Sequence, residues 1–366
     1  MLHVATMPAT LLAPRYTAPA GVGGMIEIDG MMGEGGGQIL RSSLSLSLLT
    51  GKPVRLTRIR AGRVRPGLGY QHRMAVQAAG RISNARVEGD RIGSQELYFS
   101  PGTVVPGSYH FDIGTAGATS LVLQTVLLPL ALAAGVSRLH ITGGTHVPWS
   151  PCFHYLDWHW RVLLARLGVM FKLDMAMAGF YPQGGGLVHA TLPGGARLRG
   201  LQLCDRGKLR RVRGLSAVAN LAEEIGMRQR NTAQRRLREL GCDVDIAVAA
   251  LPAYSRGTVL VLLAEFERSQ ACFFALGERG KRAEKVAEEG VDELLKFLET
   301  DGAVDRWLAD QLLLPLACTG RPSALRTSEV TAHLITNADV IRRFLPVEIT
   351  LTGAVGETAT IHMVPR

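Results

Sequence analysis

No run in this 366-residue sequence reaches the about 18 consecutive apolar residues that a membrane-spanning helix requires. The longest apolar stretch, 121–136, is interrupted by Gln124, Thr125, Pro129 and Gly135. The first 24 residues lack a basic start followed by an apolar stretch; they hold no acid and a single Arg, Arg15. No secretory signal is read there. The expectation for 1–24 is an unstructured extension, because the strand-like Ile26-Glu27-Ile28 begins immediately after it. Cysteine is scarce and scattered: Cys152, Cys204, Cys242, Cys272 and Cys318 form no C-x-x-C pair. That excludes a disulfide framework or a zinc knuckle and fits a reducing, cytoplasmic compartment. No Gly-Lys-Ser/Thr follows the richest glycine loop, so a Walker A site is also excluded.

What is present is positive charge and clustered glycine. The formal net charge is +10, which favours phosphate-rich partners such as nucleotides or nucleic acid, although an Arg-heavy solvated surface gives the same balance. The 42 glycines gather where tight turns or close backbone approach to a ligand is expected. Strand-like and helical patterns alternate, which gives a mixed α/β (α+β) class. The expected elements are a strand at 26–28, a helix at 38–50, a strand at 53–60, a helix at 70–80 and a strand at 85–88. A similar series follows: strand 109–113, small-residue turn, helix 120–134, strand 138–142, helix 153–167 and strand 169–173. Strand, glycine turn and helix thus recur without sequence identity, which points to tandem structural units. Near residue 200 the composition shifts: 206–213 is basic, 229–239 is an Arg-rich helical segment ending at Gly241, and 258–265 reads as a strand. This stretch is expected to be an inserted domain over 201–297, between 25–200 and 298–366 of a larger one. Beyond it come helices at 281–300, 304–317 and 337–344, then strands at 348–352 and 358–363.

Three clusters carry chemistry. The loop Gly33-Glu34-Gly35-Gly36-Gly37 opens a helix, so it offers bare N–H groups and the positive end of the helix dipole to a phosphate. Glu34 within it is a hard oxygen ligand suited to Mg²⁺ or Mn²⁺; the bland reading is a solvated acid on a turn. Arg58, Arg60, Arg63 and Arg65 lead into a Gly/Pro loop before Gln71 and His72, and guanidinium forks suit phosphate oxygens. A solvated basic loop weighs about equally. His333, just ahead of a helix, could attack phosphorus as a neutral imidazole, though a lone histidine is more often structural. His154, Asp157 and His159 do not share one helical face, so they are read as polar groups of an amphipathic helix, with no metal site.

Taken together and in order, these clusters resemble the RNA 3′-phosphate cyclase family. The resemblance is carried by GEGGGQILR at 33–41, RAGR at 60–63 with Pro66-Gly67-Leu68, and Gln71-His72. It continues through LVLQTV at 121–126, Gly143-Gly144-Thr145, GFYPQGGG at 179–186, LADQLLLP at 308–315 and HLITNADVIRRFLP at 333–346. It runs from about Met25 to the C-terminus and is weakest across 201–274. The resemblance implies a large domain of repeated βαβαββ units with a small inserted α/β domain. It implies an ATP-dependent conversion of an RNA 3′-phosphate to a 2′,3′-cyclic phosphate. His333 matches the nucleophile that becomes adenylated, and Glu34 the metal-binding acid. Arg41, Gln124, Trp307, Asp310 and Gln311 match ATP and nucleotide-pocket positions, Trp307 standing where the family often has Tyr. Arg60, Arg63, Gln71 and His72 match contacts to phosphate or the RNA end. Two other readings remain: an enolpyruvyl transferase-like enzyme on a similar repeated fold, and a non-catalytic RNA-binding relative that acts in ribosome assembly. The partners expected are RNA with a 3′-phosphate end and ATP.

Overall fold

The computed structural model describes residues 24–366; the extension expected over 1–24 lies, but for Gly24, outside the described residues. Among those residues one topology occurs three times. The first unit is β1 (Ile26–Asp29), α1 (Gly37–Thr50), β2 (Val54–Thr57), α2 (Tyr70–Ser83), β3 (Arg86–Glu88) and β4 (Leu97–Ser100). Its sheet order is β1-β2-β4-β3, with β1 parallel to β2 and the other pairings antiparallel. The second unit is β5 (Ser108–Asp112), α3 (Thr119–Leu132), β6 (Ser137–Gly143), a continuous helix, β7 (Lys172–Met177) and β8 (Gly186–Leu192). That helix comprises α4 (Phe153–Tyr155), a π turn (Leu156–Trp160) and α5 (Arg161–Arg166). Its sheet repeats the pattern as β5-β6-β8-β7.

The third unit opens with β9 (Gln202–Leu203) and is interrupted. β10 (Leu209–Ala219), α6 (Glu223–Leu237), β11 (Asp243–Ala250), β12 (Gly257–Phe266), β13 (Gln270–Leu276) and α7 (Ala283–Leu298) come between. The unit resumes with α8 (Arg306–Ala317), β14 (Ser323–Thr327), α9 (Ala332–Phe344), β15 (Val347–Thr352) and β16 (Ala359–Pro365). β9 runs parallel to β14, and β16 pairs antiparallel with both β14 and β15. The interrupting segment has its own sheet, ordered β11-β10-β12-β13.

The helices of the three units pack on one another. α1 touches α2, α3 and α9, and α8 packs on α9. A helix surrounded on every side cannot be amphipathic. Its leucines and its Ser42, Ser43, Ser45 and Ser47 are all buried. The small serines let neighbours approach, and two of them stitch the units together: Ser45 Oγ donates to Thr125 O at 2.7 Å and Ser42 Oγ to Asn337 Oδ1 at 2.7 Å. Truncating Leu44, wholly buried here, to Ala would cost about 2–5 kcal/mol.

β12 reads as an unbroken apolar run because both of its faces are covered. Leu260, Leu262 and Ala264 face a separate core with α6 and α7, whereas Val259, Val261 and Leu263 join the main core. Much of the basic 206–213 stretch is engaged internally. The Arg206 guanidinium donates to the carbonyls of Phe297, Leu298, Thr300 and Gly302, closing the C-terminal end of α7. Arg211 and Arg213 both pair with Glu265.

Several expected boundaries move, among them the Arg-rich helix expected at 229–239, which begins at Glu223. The strand expected at 53–60 ends at Thr57, because Arg58 and Arg60 take φ of 50° and 52° in the left-handed region. The strand expected at 169–173 starts at Lys172, because Val169 N still bonds back to Leu164 O at the helix end. The helix expected at 337–344 begins at Ala332, because the Thr331 side chain caps it by accepting from Leu334 N at 3.1 Å. His333 therefore lies inside the first turn, and not ahead of the helix.

Candidate active site at the meeting of the three units

The loop between β1 and α1 is shaped by contacts that only glycine permits. Gly33 has φ of 54°, and a Cβ there would come to 2.0 Å from Thr336 Oγ1. A Cβ on Gly37 would come to 2.3 Å from His72 Nε2. Gly36 begins α1 with no side-chain cap, so the first N–H groups are left bare for an anion. Thr336 Oγ1 accepts from Glu34 N at 3.1 Å, fastening the loop to α9.

His333 faces this loop. Its Nδ1 lies 2.7 Å from Gln38 Oε1. A carbonyl oxygen can only accept, so Nδ1 carries the proton and Nε2 keeps its lone pair. Gln38 Nε2 in turn donates to Asp310 Oδ1, which also accepts from Asn337 Nδ2 at 2.9 Å. Burial holds the Asp310 carboxyl above the usual carboxylate range, while His333, the donated hydrogen bonds and Arg41 pull the other way. The result is a fixed line from an acid through an amide to an imidazole, with the imidazole side chain 45% exposed.

Glu34 lies beside the imidazole, its Oε1 3.5 Å from His333 Nδ1. Among the described residues that oxygen is buried without a hydrogen-bond partner, an arrangement that costs free energy unless a ligand completes it. Its other oxygen pairs with Arg63, which also donates to Glu34 O at 2.9 Å. An orphaned, buried carboxylate oxygen in a phosphate-cradling loop fits a hard cation. Among the described residues no group of three or more His, Cys, Asp or Glu side chains is placed to hold a metal. Most of any ion's ligands would thus come from phosphate or water.

Arg41, one turn along α1, makes no hydrogen bond or ion pair among the described residues. Burial lowers its pKa to about 10, with Asp310 and Glu34 acting to raise it. Arg41, Gln38, Gln124, Asp310, Gln311 and Asn337 supply the polar lining of a cavity of ≈ 100 Å³. Gln124 Nε2 donates to Gln311 Oε1 at 2.7 Å across it. His72 is buried behind the loop. Its Nδ1 accepts from Gly69 N at 3.2 Å, and its pKa is driven down to about 3, first by burial and then by Arg41 and Arg60.

The structure brings Arg41, Gln124, Asp310 and Gln311 around one cavity, to which His333 is joined through Gln38 and Glu34 through His333, with Arg63 on Glu34 and His72 against Gly37. Three expected residues stand differently. Gln71 is engaged through Oε1, which accepts from Ala118 N at 2.9 Å. Arg60 Nη1 donates to Gly67 O at 2.6 Å, bracing its own loop. Trp307 is 43% exposed under the Arg306 guanidinium and does not line the cavity, although it precedes Asp310 and Gln311 by one turn on the same face of α8.

Sequence reasoning missed Gln38 and Asn337, which orient the histidine and the acid. An amide immediately after the glycine loop was the available signal for Gln38. It also missed Asp305, the wholly buried cap of α8. Its carboxylate accepts from Trp307 N and Leu308 N, bonds Tyr155 Oη at 3.1 Å and meets His159 Nε2 at 2.6 Å. His154 bonds His146 at 3.0 Å and Asp157 bonds Arg161 at 2.7 Å, so these three polar residues do not converge, as their spacing suggested.

Comparison with known proteins bears on the reading of this site. A family model described as RNA 3′-terminal phosphate cyclase matches residues 32–351. A protein of that name from Nostoc punctiforme is 46% identical over 327 residues, 87% of this chain and 94% of the relative. One from Salmonella agona is 42% identical over 90% of this chain and 95% of its own length. One from Methanopyrus kandleri is 41% identical over 93% and 99%. Among solved structures, the enolpyruvyl transferase NikO from Streptomyces tendae aligns with a TM-score of 0.26 at 16% identity, over 46% of this chain and 33% of that one.

Proposed function

The chain belongs to the RNA 3′-terminal phosphate cyclase family, and we propose that it converts an RNA 3′-phosphate end to a 2′,3′-cyclic phosphate at the expense of ATP, with His333 as the nucleophile. The observation that carries this reading is the His333–Gln38–Asp310 line: it leaves a lone pair on Nε2 beside bare helix N–H groups and an unpaired Arg41.

Nε2 attacks the α-phosphorus of ATP, forming a P–N bond as the α–β P–O bond breaks and pyrophosphate leaves. The imidazole gains positive character in this step. Gln38 Oε1 and Glu34 Oε1, both facing Nδ1–H, favour that charge. An oxygen of the RNA 3′-phosphate then displaces the imidazole, so His333 is regenerated and the RNA carries AMP. The neighbouring 2′-hydroxyl attacks that 3′-phosphorus, loses its proton and expels AMP. Nucleophile and electrophile share one ribose, which makes the closure easy and restricts it to RNA.

Glu34 would hold Mg²⁺ or Mn²⁺ through its unpaired oxygen, and such an ion offsets phosphate charge when bound. Arg41, Gln124, Asp310 and Gln311 are assigned to ATP. Trp307 is assigned to the adenine, which would stack on its open face. Arg60, Arg63, Gln71 and His72 are assigned to the phosphates of ATP or the RNA end; Arg63 would exchange Glu34 for phosphate when the ion binds. The inserted domain expected over 201–297 is read with its bounds shifted to 204–302, because β9 pairs with β14 of the larger domain and α7 runs to Leu298, and the five free cysteines suit the cytoplasm.

The test is incubation with α-³²P-ATP and Mg²⁺ or Mn²⁺, followed by denaturing electrophoresis. Label is expected on wild type and absent from His333→Ala. Full labelling of a folded His333→Ala protein would overturn the assignment. An enolpyruvyl transferase or a non-catalytic RNA-binding relative would give no label on either.

A further inference from the structure

The turn before β8 and the β11–β12 loop enclose a second groove of ≈ 440 Å³, lined by Tyr181, Pro182, Gln183, Asn220, Tyr254 and Arg256, with Ser255 at its base. Its two tyrosines are 70% and 77% exposed, far more than aromatic rings that serve packing. The backbone beneath them is held tightly. Ala178 N donates to Pro252 O at 2.8 Å and Phe180 N to Ser255 Oγ at 2.9 Å. Asn220 Nδ2 donates to Ala253 O and Ser255 O. Tyr254 rests against Gly185, which has φ of 74°, and Phe180 fills the space where Gly257 has no side chain. The backbone beneath two open rings is already fixed, so less entropy is lost on binding a flat ligand than from a free loop.

A series of contacts links the groove to the site above. Gly184 presses on the Ala116 backbone. Two residues on, Ala118 N is held by Gln71, whose neighbour His72 backs the Gly33–Gly37 loop. The contacts thus run from the glycine loop through His72, Gln71 and the 114–118 turn to the tyrosines.

We propose that this groove binds the single-stranded RNA nucleotides upstream of the reacting 3′ end, with Tyr181 and Tyr254 stacking on bases and Arg256 meeting the backbone phosphate. The inference rests on the proposed cyclase activity. Aromatic rings beside a guanidinium are the general means of holding single strands without reading sequence, and the +10 net charge favours the same partner.

The experiment compares wild type with Tyr181→Ala/Tyr254→Ala, using a 3′-phosphorylated dinucleotide and a 3′-phosphorylated oligoribonucleotide of roughly ten nucleotides. The expected result for the double variant is a rise in KM of at least about tenfold for the longer RNA, unchanged KM for the dinucleotide, and unchanged covalent labelling by α-³²P-ATP. Tyr181→Phe/Tyr254→Phe should behave as wild type, because a π face is retained. Binding of a fluorescent 3′-hydroxyl oligonucleotide, followed by anisotropy, should weaken in parallel and needs no catalysis. Equal losses for both substrate lengths, or unchanged affinity for the longer RNA, would overturn the proposal and leave the groove to another partner. If wild type neither labels nor cyclises, the cyclase reading fails and the anisotropy series alone decides the groove.

Discussion

Two equivalent helices of the repeated topology, α2 and α9, each begin with a histidine in the first turn, and the two histidines live in opposite surroundings. His72 is 7% exposed, its Nδ1 holds a backbone N–H, and burial with Arg41 and Arg60 drives its pKa to about 3. The His333 side chain is 45% exposed, and its Nδ1 proton is given to Gln38. The second unit supplies a third case: His154, in the first turn of α4, is buried against His146 with its pKa lowered to about 4 by burial. The fold places a ring in the first turn of the matching helix of each unit, and exposure separates their chemistry. A buried imidazole that is kept neutral is limited to hydrogen bonding, whereas an open one with an assigned tautomer is free to attack a substrate.

The sharpest way to break this comparison is to exchange the roles. His333→Ala should remove covalent AMP entirely, whereas His72→Ala should still label. Equal loss in both, with both folded by circular dichroism, would mean that exposure does not separate them. Next in size is Glu34→Ala. Loss of its oxygen beside the imidazole should slow adenylation by about 10²–10³-fold, and raise the metal concentration needed for half-maximal rate. An unchanged metal titration would remove Glu34 from the ion.

Gln38→Leu is expected to have a smaller effect, because it removes one hydrogen bond from Nδ1 and one from Asp310. Single-turnover adenylation should fall by roughly fivefold to a hundredfold. An unchanged single-turnover rate in a folded variant would reduce Gln38 to packing.

The smallest effect concerns the buried pair, His72 and His154, and is one of stability. Their folded pKa values lie below the ordinary 6.5, so above about pH 6.5 folded and unfolded chains are both neutral there and nothing is gained or lost. Between about 6.5 and the folded values only the unfolded chain takes up the proton. Stability therefore falls as pH falls, by up to about 1.4 kcal/mol per pH unit for each group. His72→Gln and His154→Gln should each flatten the decline in urea midpoint between pH 6.5 and 4.5. Parallel curves for variants and wild type would show that neither imidazole resists protonation.

The glycine loop, the RAGR loop and the HLITN segment stood open between chemical and structural readings on their residues alone, and it was their order along the chain that resembled the cyclase family. The alternation of strands and helices was legible, since period-2 and period-3.6 patterns differ locally. β14 was missed, and the β10 region was seen only as basic sequence. β10 hides among arginines that pair across to Glu265, a long-range contact with no local trace. The start of α9 was misplaced because its cap, Thr331, is marked by one side-chain bond and no strong pattern. The family resemblance grouped Trp307 with Asp310 and Gln311, yet its ring lies outside the cavity they line.

The sequence by itself determined where glycine is required, which residues can bind phosphate or attack phosphorus, and that its elements recur, because these follow from backbone sterics and side-chain chemistry at fixed positions. Only the tertiary structure decided which histidine is open, which proton His333 carries, and that Gln38 and Asp310 stand behind it. Those facts depend on residues 295 and 272 positions apart along the chain, and desolvation and hydrogen-bond direction exist only once the units have packed.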